Sequence, residues 1–186
     1  CTDEDALNYN PDATIDDGSC VYPCALAITD TTITPNLCNG DLTAQIEVMV
    51  EGGQGSVSYS INGGGDQLSP FFTELADGTY EIVATDAQAC ADTVDVMIVD
   101  PAAIVIDAFL DPEILCNGDL ATLTADASGG TGDLVFGLEE GTWTNNDPTF
   151  EDLGEGTYTI YALDEQACVA ASDPVEISEP DPIVIT

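Results

Sequence analysis

The 186-residue chain carries 36 acidic residues and no Lys, Arg or His, for a formal charge of −36. Without cations it cannot neutralise phosphates, which excludes nucleic acid as a partner and disfavours anionic membrane faces; without imidazole it has no Ser-His or Cys-His nucleophile pair. A hydrophobic fraction of 44% is nevertheless too high for a disordered acidic tail, so a folded core is expected.

Residues 1–22 form a Cys/Asp-rich module. So short a segment buries no core, and a Cys1–Cys20 disulfide together with a metal is expected to hold it. Asp3, Asp5, Asn8, Asn10, Asp12, Asp16 and Asp17 supply hard oxygen ligands, which suit calcium as the cofactor. Asn8, Asn10 and Asp12 open like an EF-hand loop. Ala13 then replaces the turn Gly and Ser19 the bidentate Glu, so the loop is of another kind. A solvated acidic turn without metal is the competing reading. Calcium or a salty medium would also relieve the self-repulsion of so acidic a chain. Cys1 is an unusual first residue for a primary translation product, and the chain is expected to be a processed or excised piece.

Two copies of one unit follow, residues 23–100 and 101–180. Cys38-Asn39-Gly40-Asp41-Leu42 recurs as Cys116-Asn117-Gly118-Asp119-Leu120, 78 positions on. Asp77-Gly78-Thr79-Tyr80 is echoed by Glu155-Gly156-Thr157-Tyr158, and Gln88-Ala89-Cys90 by Gln166-Ala167-Cys168. Gly52-Gly53-Gln54-Gly55 answers Gly129-Gly130-Thr131-Gly132. Asp100-Pro101 and Glu179-Pro180 mark the edges, and residues 181–186 read as an orphan first strand, Ile183-Val184-Ile185, matching Ile104-Val105-Ile106.

Each unit reads as all-β. Ile46, Val48 and Val50 alternate with polar or exposed positions. So do Val57, Tyr59 and Ile61, then Tyr80, Ile82 and Ala84, then Val94, Val96 and Ile98. Leu134, Phe136 and Leu138, then Tyr158, Ile160 and Ala162, repeat the pattern. With Asn-Gly, Gly-Gly and Asp-Gly turns, about seven strands per unit predict two tandem immunoglobulin-like β-sandwiches. The 52-residue spacing shared by both copies predicts the disulfides Cys38–Cys90 and Cys116–Cys168, each tying the start of the second strand to that of the last. Cys24 is then left over, for another chain, an upstream cysteine or a free thiol. No run is long and apolar enough for a bilayer-spanning helix, so membrane insertion is not expected.

Cys1 to Pro23 resembles a short Cys/Asp-rich module of secreted cell-surface proteins of Bacteroidetes. The two longer units resemble the SprB repeat of giant Bacteroidetes surface adhesins, through Cys-Asn-Gly-Asp, Gly-Gly-x-Gly, Gly-Thr-Tyr and Asp-x-Gln-Ala-Cys. A Tyr-x-Tyr/Trp strand usual in those repeats is only partly kept, as Ser58-Tyr59-Ser60 and Val135-Phe136-Gly137. The resemblance implies a type IX-secreted, extracellular or cell-surface, non-enzymatic protein. Asp30-Thr31-Thr32 and Asp92-Thr93-Val94 resemble the Bacteroidetes O-glycosylation motif, which makes Thr31 and Thr93 glycan acceptors and the chain a glycoprotein.

Two roles compete. One is a structural subunit of a head-to-tail surface filament, in which Ile183, Val184 and Ile185 complete a sheet of the next copy, or start a further repeat of the same polypeptide. The other is an adhesin module binding a polysaccharide or cell-surface partner, with Trp143 as the aromatic platform unless it packs on the sandwich edge. Among enzymes only a paired-carboxylate glycosidase is chemically open, through Glu139-Glu140 or Asp152 with Glu155, and nothing singles those pairs out.

Overall fold

The computed structural model describes residues 1–110, 114, 116–144 and 146–184, which contain strands and turns and no helix. They divide into two compact units. The first comprises Cys1–Pro35 and Leu42–Val99, the second Asn36–Asp41 and Asp100–Thr186. The division near residue 100 coincides with the sequence boundary. The loop 36–41, which the repeat pattern places in the first copy, belongs structurally to the second unit.

In the first unit β1 (Ala27–Thr34), β2 (Ala44–Glu51) and β4 (Phe71–Leu75) form one antiparallel sheet, with β2 in the middle. β3 (Ser58–Ile61), β5 (Gly78–Thr85) and β6 (Ala91–Ile98) form the other, with β5 in the middle. The inward halves of the alternating runs meet between the sheets. Ala44, Ile46 and Val48 of β2 lie against Ile82 and Ala84 of β5, with Tyr59, Phe72, Val96 and Ile98 completing the core. This arrangement is an immunoglobulin-type sandwich with six strands rather than about seven. The missing strand is replaced by the connection from Asn62 to Pro70, whose Gln67 pairs with Tyr59 through two backbone bonds of 2.7 and 2.9 Å.

The second unit repeats the plan. β7 (Val105–Leu110), β8 (Ala121–Ser128) and β10 (Thr149–Leu153) form one sheet. β9 (Val135–Gly137) pairs with β12 (Tyr161–Leu163), and β12 with β13 (Val169–Ala171). β11 (Gly156–Tyr158) pairs with β14 (Val175–Ile177). The last two long strands of the first unit are thus each broken in the second. Ser172 marks the break: its buried hydroxyl accepts the Ile160 N–H at 3.0 Å and donates to the Asp173 carbonyl at 2.9 Å. Leu123, Ala125, Phe136, Ile160 and Ala162 form the core.

The recurrent Gly-Thr-Tyr has a physical reason in both units. The Tyr80 hydroxyl donates to the Ala76 carbonyl at 3.1 Å, and the Tyr158 hydroxyl to the Gly154 carbonyl at 3.2 Å. Each bond pins the corner where the chain crosses between sheets, the tyrosine corner of such sandwiches. Tyr80→Phe is expected to cost about 1 kcal/mol, the net worth of one such bond. The check is the denaturation midpoint, which an incidental bond would leave unmoved.

Strand direction corrects the disulfide assignment. β1 and β2 are antiparallel, so the loop holding Cys38 leaves the end of the sheet where β1 finishes. β2 passes through a short loop to β3, and β5 runs antiparallel to β3, which returns the chain to the opposite end before the Cys90 turn. Cys38 and Cys90 are therefore separated by the length of an eight-residue strand, roughly 25 Å at about 3.3 Å per residue, against a disulfide limit near 7 Å. The same argument separates Cys116 from Cys168. Instead Cys24, just before β1 and at the same end as the β5–β6 turn, bonds Cys90. Cys38 bonds Cys168, both within the second unit. Cys1 bonds Cys20. Cys24 is thus paired, and Cys116 is the free thiol, exposed, among the described residues.

Candidate functional site

The sequence motifs converge at the two ends of each sandwich. At one end an aspartate organises the turn before the last strand. Asp86 Oδ1 accepts the N–H groups of Gln88 at 2.8 Å and Cys90 at 2.9 Å, while Oδ2 accepts the Gln54 N–H at 2.7 Å. Asp164 does the same in the second unit. Its Oδ1 takes Gln166 and Cys168, both at 2.9 Å, and its Oδ2 takes Thr131 at 2.8 Å. One carboxylate thus joins the Asp-x-Gln-Ala-Cys turn to the Gly-Gly-x-Gly loop and fixes the direction from which the cysteine leaves. The first glycine of that loop has no room for a side chain: a Cβ on Gly52, at φ 74°, would overlap the Ala25 carbonyl, and one on Gly129, at φ 84°, the Ala103 carbonyl.

Burial pushes the Asp86 carboxyl up, but the N–H donors of Gln54, Cys90 and Gln88 outweigh it and hold the group below its ordinary value of 3.8. A lowered folded value means that the stabilisation is present above the unfolded value and is lost as pH falls through the folded one. The stability gap between the native chain and Asp86→Asn is therefore expected to be constant above about pH 5 and to narrow below 3.8. Denaturant titrations at stepped pH check this, and a gap that widens in acid would contradict it.

At the other end lies the Cys-Asn-Gly-Asp loop. In the copy at 38–41 the Asp41 N–H donates to the Cys38 carbonyl at 3.3 Å, and the Cys38 N–H donates to Asp41 Oδ2 at 3.2 Å. Gly40, at φ 82°, turns its N–H onto Asp100 Oδ2 at 2.7 Å, and Asn39 Nδ2 donates to the Pro101 carbonyl at 3.0 Å. In the copy at 116–119 the Asp119 N–H donates to the Cys116 carbonyl at 3.3 Å. Gly118, at φ 88°, donates its N–H to Glu179 Oε2 at 2.9 Å, and Asn117 Nδ2 donates to the same oxygen at 3.1 Å. Both loops therefore grip the acid that precedes the proline at a repeat edge. Sequence reasoning used Asp100 and Glu179 as repeat edges and Asp86 and Asp164 as the acid of the Asp-x-Gln-Ala-Cys motif, and gave none of the four a structural role. The signal was present, since each is an acid repeated at a fixed distance from a repeated Cys or Pro.

The remaining predicted residues are distributed as follows. In the N-terminal module the side-chain oxygens cap local backbone. Asp3 Oδ1 accepts the Asp5 N–H, Asn10 Oδ1 the Asp12 N–H and Asp16 Oδ1 the Gly18 N–H, each at 3.0 Å. Asp17 accepts from Ser19. Asn8 latches the hairpin by donating to the Ser19 carbonyl at 2.6 Å and accepting the Val21 N–H at 2.8 Å. The Tyr22 hydroxyl on Asp3, with the Asp5 N–H, holds that carboxyl below its usual value. Among the described residues no three acidic or sulfur side chains converge as a metal-holding group. These side chains cap the hairpin backbone.

Thr93 is exposed on β6 and Thr31 half-buried on β1. The aspartates before them accept their N–H groups, and Asp92 Oδ2 also takes the Ile28 N–H at 2.8 Å. Trp143 is half-buried, and Glu139, Glu140, Asp152 and Glu155 are exposed. Ile183 and Val184 are 94% and 78% exposed and lie outside any strand, while Ile185 falls outside the described residues.

Residues 31–66 match the SprB repeat. No curated protein matches the chain. Among solved structures, the chain is similar to a C-terminal fragment of intimin solved with the intimin-binding domain of its translocated receptor. Identity is 14% and the TM-score 0.37, covering 81% of this chain and 64% of that one, so the chain spans just under two thirds of that fragment. Murine CEACAM1b gives 12% identity and a TM-score of 0.34 over 81% of this chain and 100% of its own. Fibronectin(III)-like modules of Clostridium thermocellum CbhA give 15% and 0.28 over 81% and 95%.

Proposed function

We propose that the chain is a structural segment of an extracellular surface filament, in which SprB-type repeats follow one another head to tail. The observation that carries this reading is the repetition of whole end-structures, the Asp-held turn at one end and the acid-gripping Cys-Asn-Gly-Asp loop at the other. A protein that repeats its ends as faithfully as its core is built to be joined. Ile183, Val184 and Ile185 are the strand that enters a following sandwich, supplied along one polypeptide or across a subunit contact. Negative-stain electron microscopy tests this in millimolar calcium and in excess chelator. Fibres are expected in calcium, and discrete particles in both conditions would contradict self-assembly by this segment.

Calcium enters the reading as countercharge for the carboxylates, at joints or over the surface. The chain is expected to melt several degrees higher as salt rises from about 0.01 to 1 M, over which the screening length falls from about 30 to 3 Å. Differential scanning calorimetry checks this, and a flat response would show that self-repulsion does not limit stability.

A second reading, an adhesin module that binds a polysaccharide or cell-surface partner, draws support from the SprB match at residues 31–66. It predicts that soluble glycans protect Trp143 from fluorescence quenching. Glycans on Thr31 or Thr93 belong to either reading, and intact mass after release from the native source tests them.

A further inference from the structure

We propose that Cys116 is the acceptor for a disulfide from the Asp-x-Gln-Ala-Cys turn of a further repeat of this type. The inference rests on reading the chain as part of a repeat array and is independent of whether filaments form.

The internal copy supplies the template. Cys38 and Cys116 occupy the same place in the same loop, closed by the same Cys carbonyl to Asp N–H bond of 3.3 Å. Both loops turn a glycine N–H onto the acid before an edge proline. Cys38 is bonded to Cys168, the turn cysteine of the repeat after its own. Cys168 Sγ also lies 3.4 Å from the carbonyl of Leu37, the residue before its partner Cys38. Cys116 has the loop, the acid and the exposure, and lacks only the turn. Next to it lies a cleft of ≈ 350 Å³ lined by Cys116, Asn117, Pro180, Asp181, Pro182 and Ile183.

The occupant is a repeat joined in sequence and not a second free copy. In a copy of this chain both turn cysteines are taken, Cys90 by Cys24 and Cys168 by Cys38. Cys24 thus fills for the first repeat the place that a preceding Cys-Asn-Gly-Asp loop would fill. A repeat added after the second would bring a turn cysteine with no such partner except Cys116. Bond formation breaks two S–H bonds and makes one S–S bond. The two protons and two electrons pass to an external disulfide oxidant, which is reduced to two thiols.

The test extends residues 1–186 with a copy of residues 108–186, which keeps Glu179-Pro180 aligned with Asp100-Pro101 and carries the exposed changes Ser128→Thr and Ala171→Ser, so that its two cysteine peptides differ in mass from the native ones. Because the chain has no tryptic sites, the oxidised product is alkylated under denaturing conditions and digested with a Glu-specific protease for linkage mapping. The expected result is Cys116 linked to the turn cysteine of the added repeat, with the free thiol moved to the added copy of Cys116. An alkylated Cys116, or an added turn cysteine bonded within its own repeat, would overturn the proposal. A variant of the present chain guards against misfolding of the longer one. Cys38→Ser in residues 1–186 is expected to leave two titratable thiols, Cys116 and Cys168, because they lie at opposite ends of their sandwich. A Cys116–Cys168 bond in that variant would also overturn the proposal. If the linkage forms and no fibres are seen, the filament reading fails and this one stands.

Discussion

Replacing both Cys38 and Cys168 by Ser is expected to lower stability by roughly 4 to 5 kcal/mol, the largest effect of any change considered for this chain. The bond spans 130 residues in sequence. The Cys24–Cys90 bond already shortens the connecting path, because its span of 66 residues overlaps the longer one. Going from Cys38 back to Cys24, across that bond and on from Cys90 leaves a loop of about 90 residues. Since the cost grows only with the logarithm of length, the shortcut removes a few tenths of a kcal/mol. The double substitution avoids a stray thiol, and denaturant titration under non-reducing conditions reads the loss. Cys116→Ser provides the contrast and is expected to leave the midpoint unchanged. Were Cys116 instead the partner of Cys168, that substitution would be destabilising and the Cys38 change would also break the first sandwich.

Asp164→Ala ranks second, at about 3 to 5 kcal/mol, because it strands three backbone donors in a site the side chain itself fills. Asp164 is 5% exposed, and its two oxygens serve Gln166, Cys168 and Thr131. Burying an N–H without a partner costs more than the bond it made was worth. Asp164→Asn keeps one carbonyl oxygen and is expected to lose about half as much. The readout extends beyond stability. With the turn released, Cys168 loses its aim at Cys38, and air oxidation of the reduced chain should slow and yield mixed pairings. A variant with native stability and native pairing would show that the turn is shaped by the sandwich and not by the carboxylate.

The sandwich cores were legible from sequence because burial follows the alternation of side chains along a strand. Ile46, Val48, Ile82, Ala84, Val96 and Ile98 all point inward as their spacing requires. The tandem organisation was legible because the same five residues recur from Cys38 and from Cys116. The Cys1–Cys20 bond was legible as well, but the disulfides of the two repeats were not, because a spacing that repeats every 78 residues suits a bond within a repeat and a bond shifted by one repeat equally well. What separates the two is strand direction: Cys38 leaves its sandwich at one end and Cys90 at the other. The local role of the oxygen-rich N-terminal module was hidden for a related reason. Asn8 and Asp3 have ligand chemistry, and in the fold their atoms also meet Ser19, Val21, Asp5 and Tyr22 as caps that close the hairpin. Composition reports which atoms are available and not what they already hold.

The shifted disulfide register is the centre of the account, since it defines both the partner of each turn and the open thiol. Linkage mapping of the oxidised 186-residue chain after Glu-specific and chymotryptic digestion tests it most directly. The expected result is Cys1–Cys20, Cys24–Cys90 and Cys38–Cys168, with Cys116 alkylated. Recovery of Cys38–Cys90 and Cys116–Cys168, with Cys24 alkylated, would contradict it.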